Sequence, residues 1–241
     1  MDLHYGICFY AGKNKVSNIQ KHYEIFQNIQ QENKNFYIIF MVDSKDPDER
    51  IKFSRNTLKS LDLLKKPNIH FLHDFNWGGT IAGLHLLFQH LKNQQNSYIA
   101  FFEEDFQATN PEWFETAKKY IPDYFMIGEG NIPSIDNPDL CQIKVSDSRY
   151  MIKYKMHKTY QNEAWTDGGF YFSTTEKFQK IYDTIGIFHK GDQNTKYNHD
   201  YDGIDLGEVG FPSALFNNKL KFTGLFRYKF FNHDEGKKKK T

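Results

Sequence analysis

Apolar residues along the chain gather into short continuous runs separated by stretches of helical spacing, the pattern of strands and helices laid down in turn. Residues 4–10 (HYGICFY) read as a first strand. From Val16 to near Glu32 the positions Ile19, Tyr23, Phe26 and Ile29 recur at the intervals of one helix face. A second strand, FYIIFMVD (36–43), precedes a polar helix over 47–65 that Pro67 closes. IHFLHD (69–74) makes a third strand, followed by a glycine-bearing turn, a helix to Leu91, and the strand SYIAFFEED (97–105). Such alternation predicts an α/β fold with a central, mostly parallel mixed sheet flanked by helices, because parallel strands need a crossover and a helix is the usual one.

The second half is less regular. Pro111, Pro122, Pro133 and Pro138 punctuate it, with a polar loop over 130–148. DYFMIGE (123–129) and GGFYFS (168–173) read as strands, and Thr174–Ile185 as a helix capped by Thr174 or Thr175. Residues 186–203, rich in Gly, Asp, Asn and His, read as a mobile loop of the kind that covers binding sites. Phe211, Leu215 and Phe216 mark the apolar side of a later helix. With no internal repeat, the chain reads as one domain over 1–236, divisible into halves 1–106 and 107–236, plus a basic tail at 237–241.

Composition narrows the partners. A length of 241 residues at 39% hydrophobic content suffices for one substantial core. A net charge of +1 lacks the basic surplus of a nucleic-acid binder, so no nucleic-acid partner is expected. Cys8 and Cys141 are too few and too distant for a disulfide framework and suit the reducing cytoplasm. Aromatic content is 17%, either a compositional bias or a supply of surfaces for stacking on rings. No apolar run reaches the roughly 20 residues of a membrane span. Lys237 to Lys240 form a solvated tail or a weak contact with an anionic membrane surface.

Three predicted strands end in acids, at Asp43, at Asp74 and at Glu103-Glu104-Asp105, and a parallel sheet would set all three along one rim. Ligands bind at that rim in open α/β sheets. The triplet lies between phenylalanines, where unpaired carboxylates are costly without a cation or donors. Its hard oxygens suit Mg²⁺ or Mn²⁺; the plainer reading is a solvated strand end. Asn76, Gly78 and Gly79 let backbone approach a ligand or merely make a tight turn. No HExxH, CxxC pair, GxSxG or Walker loop occurs, which removes zinc hydrolases, serine esterases and P-loop kinases.

The order of strand, Asn76-x-Gly78, helix with Ala82 and Gly83, strand and acid triplet resembles the nucleotide-sugar half of GT-A fold glycosyltransferases, especially those of family two. Glu103-x-Asp105 stands where that family carries DxD. Trp165-Thr166-Asp167-Gly168-Gly169 resembles its acceptor-side segment, and Asp205 to Glu208 and Phe231-Asn232-His233 follow in the family's order. The resemblance implies a GT-A-like, Rossmann-like domain that moves a sugar from a nucleoside diphosphate donor, uridine-based, to a hydroxyl of a glycan or related acceptor with inversion. It implies a metal held by Asp105, with Glu103 and His233 as further ligands, and a nucleotide sugar bound by Asp43, Asn76, Gly78, Gly79 and the acids 103–105. Glu208 is the expected base, with Asp205 and Asp167 as alternatives, although either acid of 205–208 also suits a helix N-terminus. Trp165, Gly168 and Gly169 would meet the acceptor, while Trp165 is equally at home in a core and His233 in a polar tail. Arg227 and Lys229 either hold the pyrophosphate or face solvent from a strand. Two other classes remain: a noncatalytic nucleotide-sugar or glycan-binding module of the same fold, and a sugar nucleotidyltransferase, for which the single Gly12 after the first strand is poor support.

Overall fold

A computed structural model describes residues 1–10, 16–59, 66–76, 79–130, 132–141, 144–145, 164–165, 169–185 and 211–233. Strands and helices alternate through the first half: β1 (Asp2–Tyr10), α1 (Val16–Asn28), β2 (Lys34–Val42), α2 (Pro47–Lys59), β3 (Ile69–Phe75), α3 (Gly79–Leu91) and β4 (Ser97–Glu103). After them come β5 (Phe106–Ala108), α4 (Glu112–Tyr120), β6 (Met126–Gly130), β7 (Leu140–Cys141), β8 (Lys144–Val145) and β9 (Ala164–Trp165). The last group is β10 (Phe170–Thr174), α5 (Thr175–Ile185), α6 (Phe211–Asn217), β11 (Phe222–Phe226), α7 (Arg227–Phe230) and β12 (Phe231–His233).

Among the described residues the main sheet has eight strands in the order β3-β2-β1-β4-β10-β6-β11-β7. β1 pairs in parallel with β2 on one edge and β4 on the other, and β2 pairs in parallel with β3. β10 is antiparallel to both β4 and β6, which makes the sheet mixed, and β11 runs parallel to β6. The chain therefore builds outward from β1 to β3, then returns through α3 to the far side of β1. That reversal leaves a crevice at the carboxyl ends of β1 and β4.

Helices cover both faces because the strands are apolar on both. Tyr5, Ile7 and Phe9 of β1 and Phe102 of β4 pack toward Ile19, Tyr23 and Phe26 of α1 and Trp113 and Phe114 of α4. Cys8, Ile39 and Phe101 look the other way, toward Ile81, Leu84 and Leu87 of α3, Phe178 of α5 and Phe211 of α6. The aromatic richness is consumed here. Trp113, Tyr5, Tyr171, Phe101, Phe102, Phe106, Phe114 and Phe170 are all fully buried, each worth about 1.5–3 kcal/mol by area removed from water.

Boundaries shift where a side chain redirects the backbone. α1 stops at Asn28 rather than near Glu32 because the Lys34 ammonium gathers the carbonyls of Phe26, Gln27 and Ile29 at 3.0, 2.8 and 2.8 Å, a favourable place for a cation. Thr174 closes β10, and its hydroxyl accepts the Lys177 N–H at 3.3 Å as a helix cap. The strand expected to run to Asp105 ends at Glu103, and the chain turns at once into β5. α4 was not expected, although Trp113, Phe114, Ala117 and Tyr120 bury one helical face. The expected helix end at 60–65, the polar loop beyond 145 and the loop over 186–203 lie outside the described residues, as does the tail at 237–241. Among the described residues no helix is long and apolar enough to cross a membrane.

Two histidines are sealed into this core. His4 bonds through Nδ1 to the Tyr37 hydroxyl at 3.1 Å, and its Nε2 has no partner among the described residues. Burial pushes His4 and His22 each down to about 4, against opposing attraction from Asp2 at His4 and from backbone carbonyls and Asp105 at His22. Free histidine titrates near 6.5, so between the two values the unfolded chain holds more protons than the folded one, and stability falls as pH falls through that window. The urea midpoint should therefore drop between about pH 7 and about pH 5, and His4→Gln, which does not titrate but can still bond Tyr37, should flatten part of the decline. A midpoint constant over that range would contradict the assignment.

Candidate functional site

The carboxyl end of β4 sends three adjacent acids into three environments. Glu103 opposes Cys8 in the β1–β4 ladder and points toward α3, where the Thr80 hydroxyl donates to its Oε1. Thr80 Oγ1 is thereby left to accept from the Tyr10 hydroxyl at 3.0 Å, giving a relay from β1 through the first turn of α3 to the carboxylate. Burial raises the Tyr10 hydroxyl well above its ordinary value and likewise the Cys8 thiol, so both stay protonated and Cys8 is no nucleophile.

Glu104 turns to the opposite face. It is 2% exposed, and its Oε2 accepts from Asn18 Nδ2 of α1 at 2.7 Å. The expectation that all three acids line the ligand rim thus meets a geometric fact: the strand stops at Glu103, and the turn that follows sends the Glu104 side chain into the core against α1. Asp105 is half-buried in the turn between β4 and β5. β5 pairs with β12, and the register sets His233 opposite Phe106, so the His233 backbone lies one residue from Asp105 across the ribbon. The described atoms do not include the His233 side chain. Among the described residues no group of three or more His, Cys, Asp or Glu side chains is arranged to hold a metal ion.

On the other side of the crevice, Asn76 joins the ends of β2 and β3 to the start of α3. Its Nδ2 donates to Asp43 Oδ1 at 3.0 Å, its Oδ1 accepts the Gly79 N–H at 3.0 Å, and its own N–H bonds the Val42 carbonyl at 3.0 Å. Gly79 has φ 56°, a left-handed conformation that glycine adopts without strain. Asp43 is exposed at the rim.

Gly169 leads into β10 beside the acids. Its carbonyl accepts the Glu103 N–H at 3.0 Å, and a methyl on its Cα would come within 2.4 Å of Phe106 Cγ. Only glycine lets β10 approach β5 so closely. Behind it lies a buried ion pair that sequence reasoning did not assemble. Arg227 grips Glu129 with Nε on Oε2 at 2.8 Å and a second guanidinium nitrogen on Oε1 at 2.9 Å, while its guanidinium lies 5.4 Å from the centre of the Phe106 ring. The Glu129 side chain has no exposure, and its Oε1 also accepts the Gly169 N–H at 3.4 Å. The available signal was MIGEG, a further apolar strand ending in an acid. Arg227 and Lys229 sit on the helical turn α7 rather than on a strand: Arg227 faces inward, Lys229 pairs with Asp139, and Tyr228 between them is 74% exposed.

Asp43, Asn76, Gly79, Glu103, Asp105 and Gly169 therefore share one edge of the sheet. Gly78, Gly168, Asp167, Asp205 and Glu208 lie outside the described residues, and Trp165 is described only as backbone, with β9 paired to β8 opposite Lys144.

The sheet, its switch point and its helical layers define a Rossmann-like α/β fold. No family model matches the chain, and no curated protein does. Among solved structures it is similar to S. aureus TarS 1-349, at 12% identity and TM-score 0.46 over 96% of this chain and 60% of that one. It is similar also to a longer S. aureus TarS chain, at 13% identity and TM-score 0.48 over 96% of this chain and 36% of that one. The chain thus spans about three fifths and about one third of those structures. At that distance its own residues must carry any functional argument.

Arg227→Met removes the guanidinium from the buried Glu129 carboxylate, a loss of about 3–5 kcal/mol. Urea denaturation should show it, whereas a loss below about 1 kcal/mol is what an exposed pair would give.

Proposed function

We propose that the chain is a metal-dependent glycosyltransferase that moves a sugar from a nucleoside diphosphate donor, uridine-based, to a hydroxyl of a glycan or related acceptor with inversion. The observation that carries this reading is the acid turn at the switch point. Asp105 stands half-exposed at the carboxyl end of β4, Glu103 beside it is oriented by Thr80, and the Asp43–Asn76 pair faces them from the ends of β2 and β3. A diphosphate leaving group gathers negative charge as its bond to the sugar breaks, and the described part of this rim sets the carboxylates Asp43, Glu103 and Asp105 near it. A divalent cation between these carboxylates and the phosphates would join the two negative groups.

The donor set fits such an ion. Mg²⁺ and Mn²⁺ take one or two carboxylates and fill their other positions with phosphate oxygens and water, so Asp105 and Glu103 suffice and a closed protein cage is not required. His233, brought near Asp105 by the β5–β12 register, is the proposed nitrogen ligand. A bound cation would neutralise the charge developing on the diphosphate. Asp43, Asn76 and Gly79 would hold the nucleoside end, and Gly169 and Trp165 the acceptor side. Glu208 is proposed as the base for the acceptor hydroxyl, with Asp205 and Asp167 next. The reaction is placed in the cytoplasm, in keeping with Cys8 and Cys141 both being free thiols.

Calorimetry with UDP and Mn²⁺ tests the donor site. Asp105→Asn should remove Mn²⁺-dependent UDP binding, and undiminished affinity in that variant would refute the assignment. Glu208→Gln should keep UDP binding while transfer falls by about 10²- to 10⁴-fold, the contribution of a general base. Full transfer by Glu208→Gln would move the role to Asp205 or Asp167.

A further inference from the structure

Glu104 is held at every polar group that the fold can reach. Its N–H donates to the Cys8 carbonyl at 3.2 Å, its carbonyl meets His22 Nε2 at 3.1 Å, and its carboxylate takes Asn18 Nδ2 at 2.7 Å. Behind His22, Nδ1 lies 2.7 Å from the Tyr5 hydroxyl. Asn18 and His22 are each 1% exposed and Tyr5 is fully buried. The proton positions follow from chemistry. His22 is neutral near pH 7, so it carries one N–H; a carbonyl only accepts, so that proton is on Nε2, and Nδ1 accepts from Tyr5.

This network is not arranged for stability alone. Asn18 Oδ1 is buried with no partner among the described residues, at a cost of about 1–3 kcal/mol. The reverse amide orientation would set that oxygen against the Glu104 carboxylate, so the contact to Glu104 is the one the fold keeps. Glu104 is the first residue of the turn from β4 into β5, between Glu103 and Asp105. Holding its N–H, its carbonyl and its carboxylate therefore holds the stretch of backbone that carries both neighbours.

We infer that Asn18 and His22 are positioning residues for Asp105, acting through Glu104, which serves as the anchor of the acid turn and not as a ligand. The inference rests on the proposed nucleotide–metal reading, in which small shifts of a carboxylate matter because Mg²⁺ and Mn²⁺ demand near-octahedral geometry. Outer partners of metal ligands are typically worth about 10- to 100-fold in affinity. Asn18→Asp sets two carboxylates in contact and should weaken Mn²⁺–UDP binding about 10-fold or more. The swap Asn18→Asp/Glu104→Gln restores an amide–carboxylate bond with the roles reversed and should recover most of that loss.

Two readouts separate the failure modes. Hydrogen exchange of the amides at 103–108 should quicken in Asn18→Asp, return in the swap and leave β2 and β3 unchanged. Titration of UDP with Mn²⁺ should follow the same order. Unaltered exchange at 103–108 in Asn18→Asp overturns the anchor, whatever binds. A swap that restores exchange without restoring Mn²⁺–UDP affinity makes Glu104 a direct ligand and overturns the positioning role. Exchange that follows the expected order in a wild-type chain blind to Mn²⁺–UDP upholds the anchor and fails the nucleotide reading instead.

Discussion

Pairing of β4 against the free edge of β1 is the constraint from which the rest of the site follows. Until that ladder forms, the sheet grows in one direction only, from β1 through β2 to β3. Placing β4 on the opposite edge parts the chain at the ends of two neighbouring strands and opens a cleft there. The register then does specific work: Cys8 opposite Glu103 brings the acids level with Tyr10 and with the first turn of α3.

Three consecutive acids are normally self-repelling, and the fold separates them by face. One meets a hydroxyl on the α3 side, one an amide on the α1 side, and the third stands at the turn itself. Phe102, Phe106, Phe170, Phe231 and Trp113 pack edge-on and tilted beneath this turn. That dry floor matters electrically. Charge–charge interactions above it are screened less than at an open surface. The same floor supports the Glu129–Arg227 pair, whose guanidinium lies over Phe106, so the aromatic layer serves the acid turn and its cationic neighbour together.

The first half of the fold was legible because its signals are local. Apolar runs of strand length, a Pro stop and a glycine-bearing turn each act within a few residues, and β1 to β4 appear close to where pattern places them. The second half depends on pairings between distant segments. β7 and β12 are two and three residues long and exist only through their partners β11 and β5. Within the site, the sheet edge that gathers Asp43, Asn76 and Asp105 was readable from strand ends. The burial of Glu104 was not, because it depends on where the strand stops, and a hydrophobic run gives no mark for a turn two residues before its last acid. Arg227 misled for a related reason: its alternation with aromatics resembles a strand, while the bond to Glu129 draws it into a helical turn.

The β5–β12 ribbon has a consequence for how the protein comes into being. Residues 106–108 leave the ribosome with the first half of the sheet, yet their partner is residues 231–233. An emerging chain can assemble β1 to β4 while the turn that carries Asp105 still lacks its second strand. Competence at the site is thus deferred until residues 231–233 have been made, and a product shortened before residue 231 would keep a large part of the sheet without the finished rim.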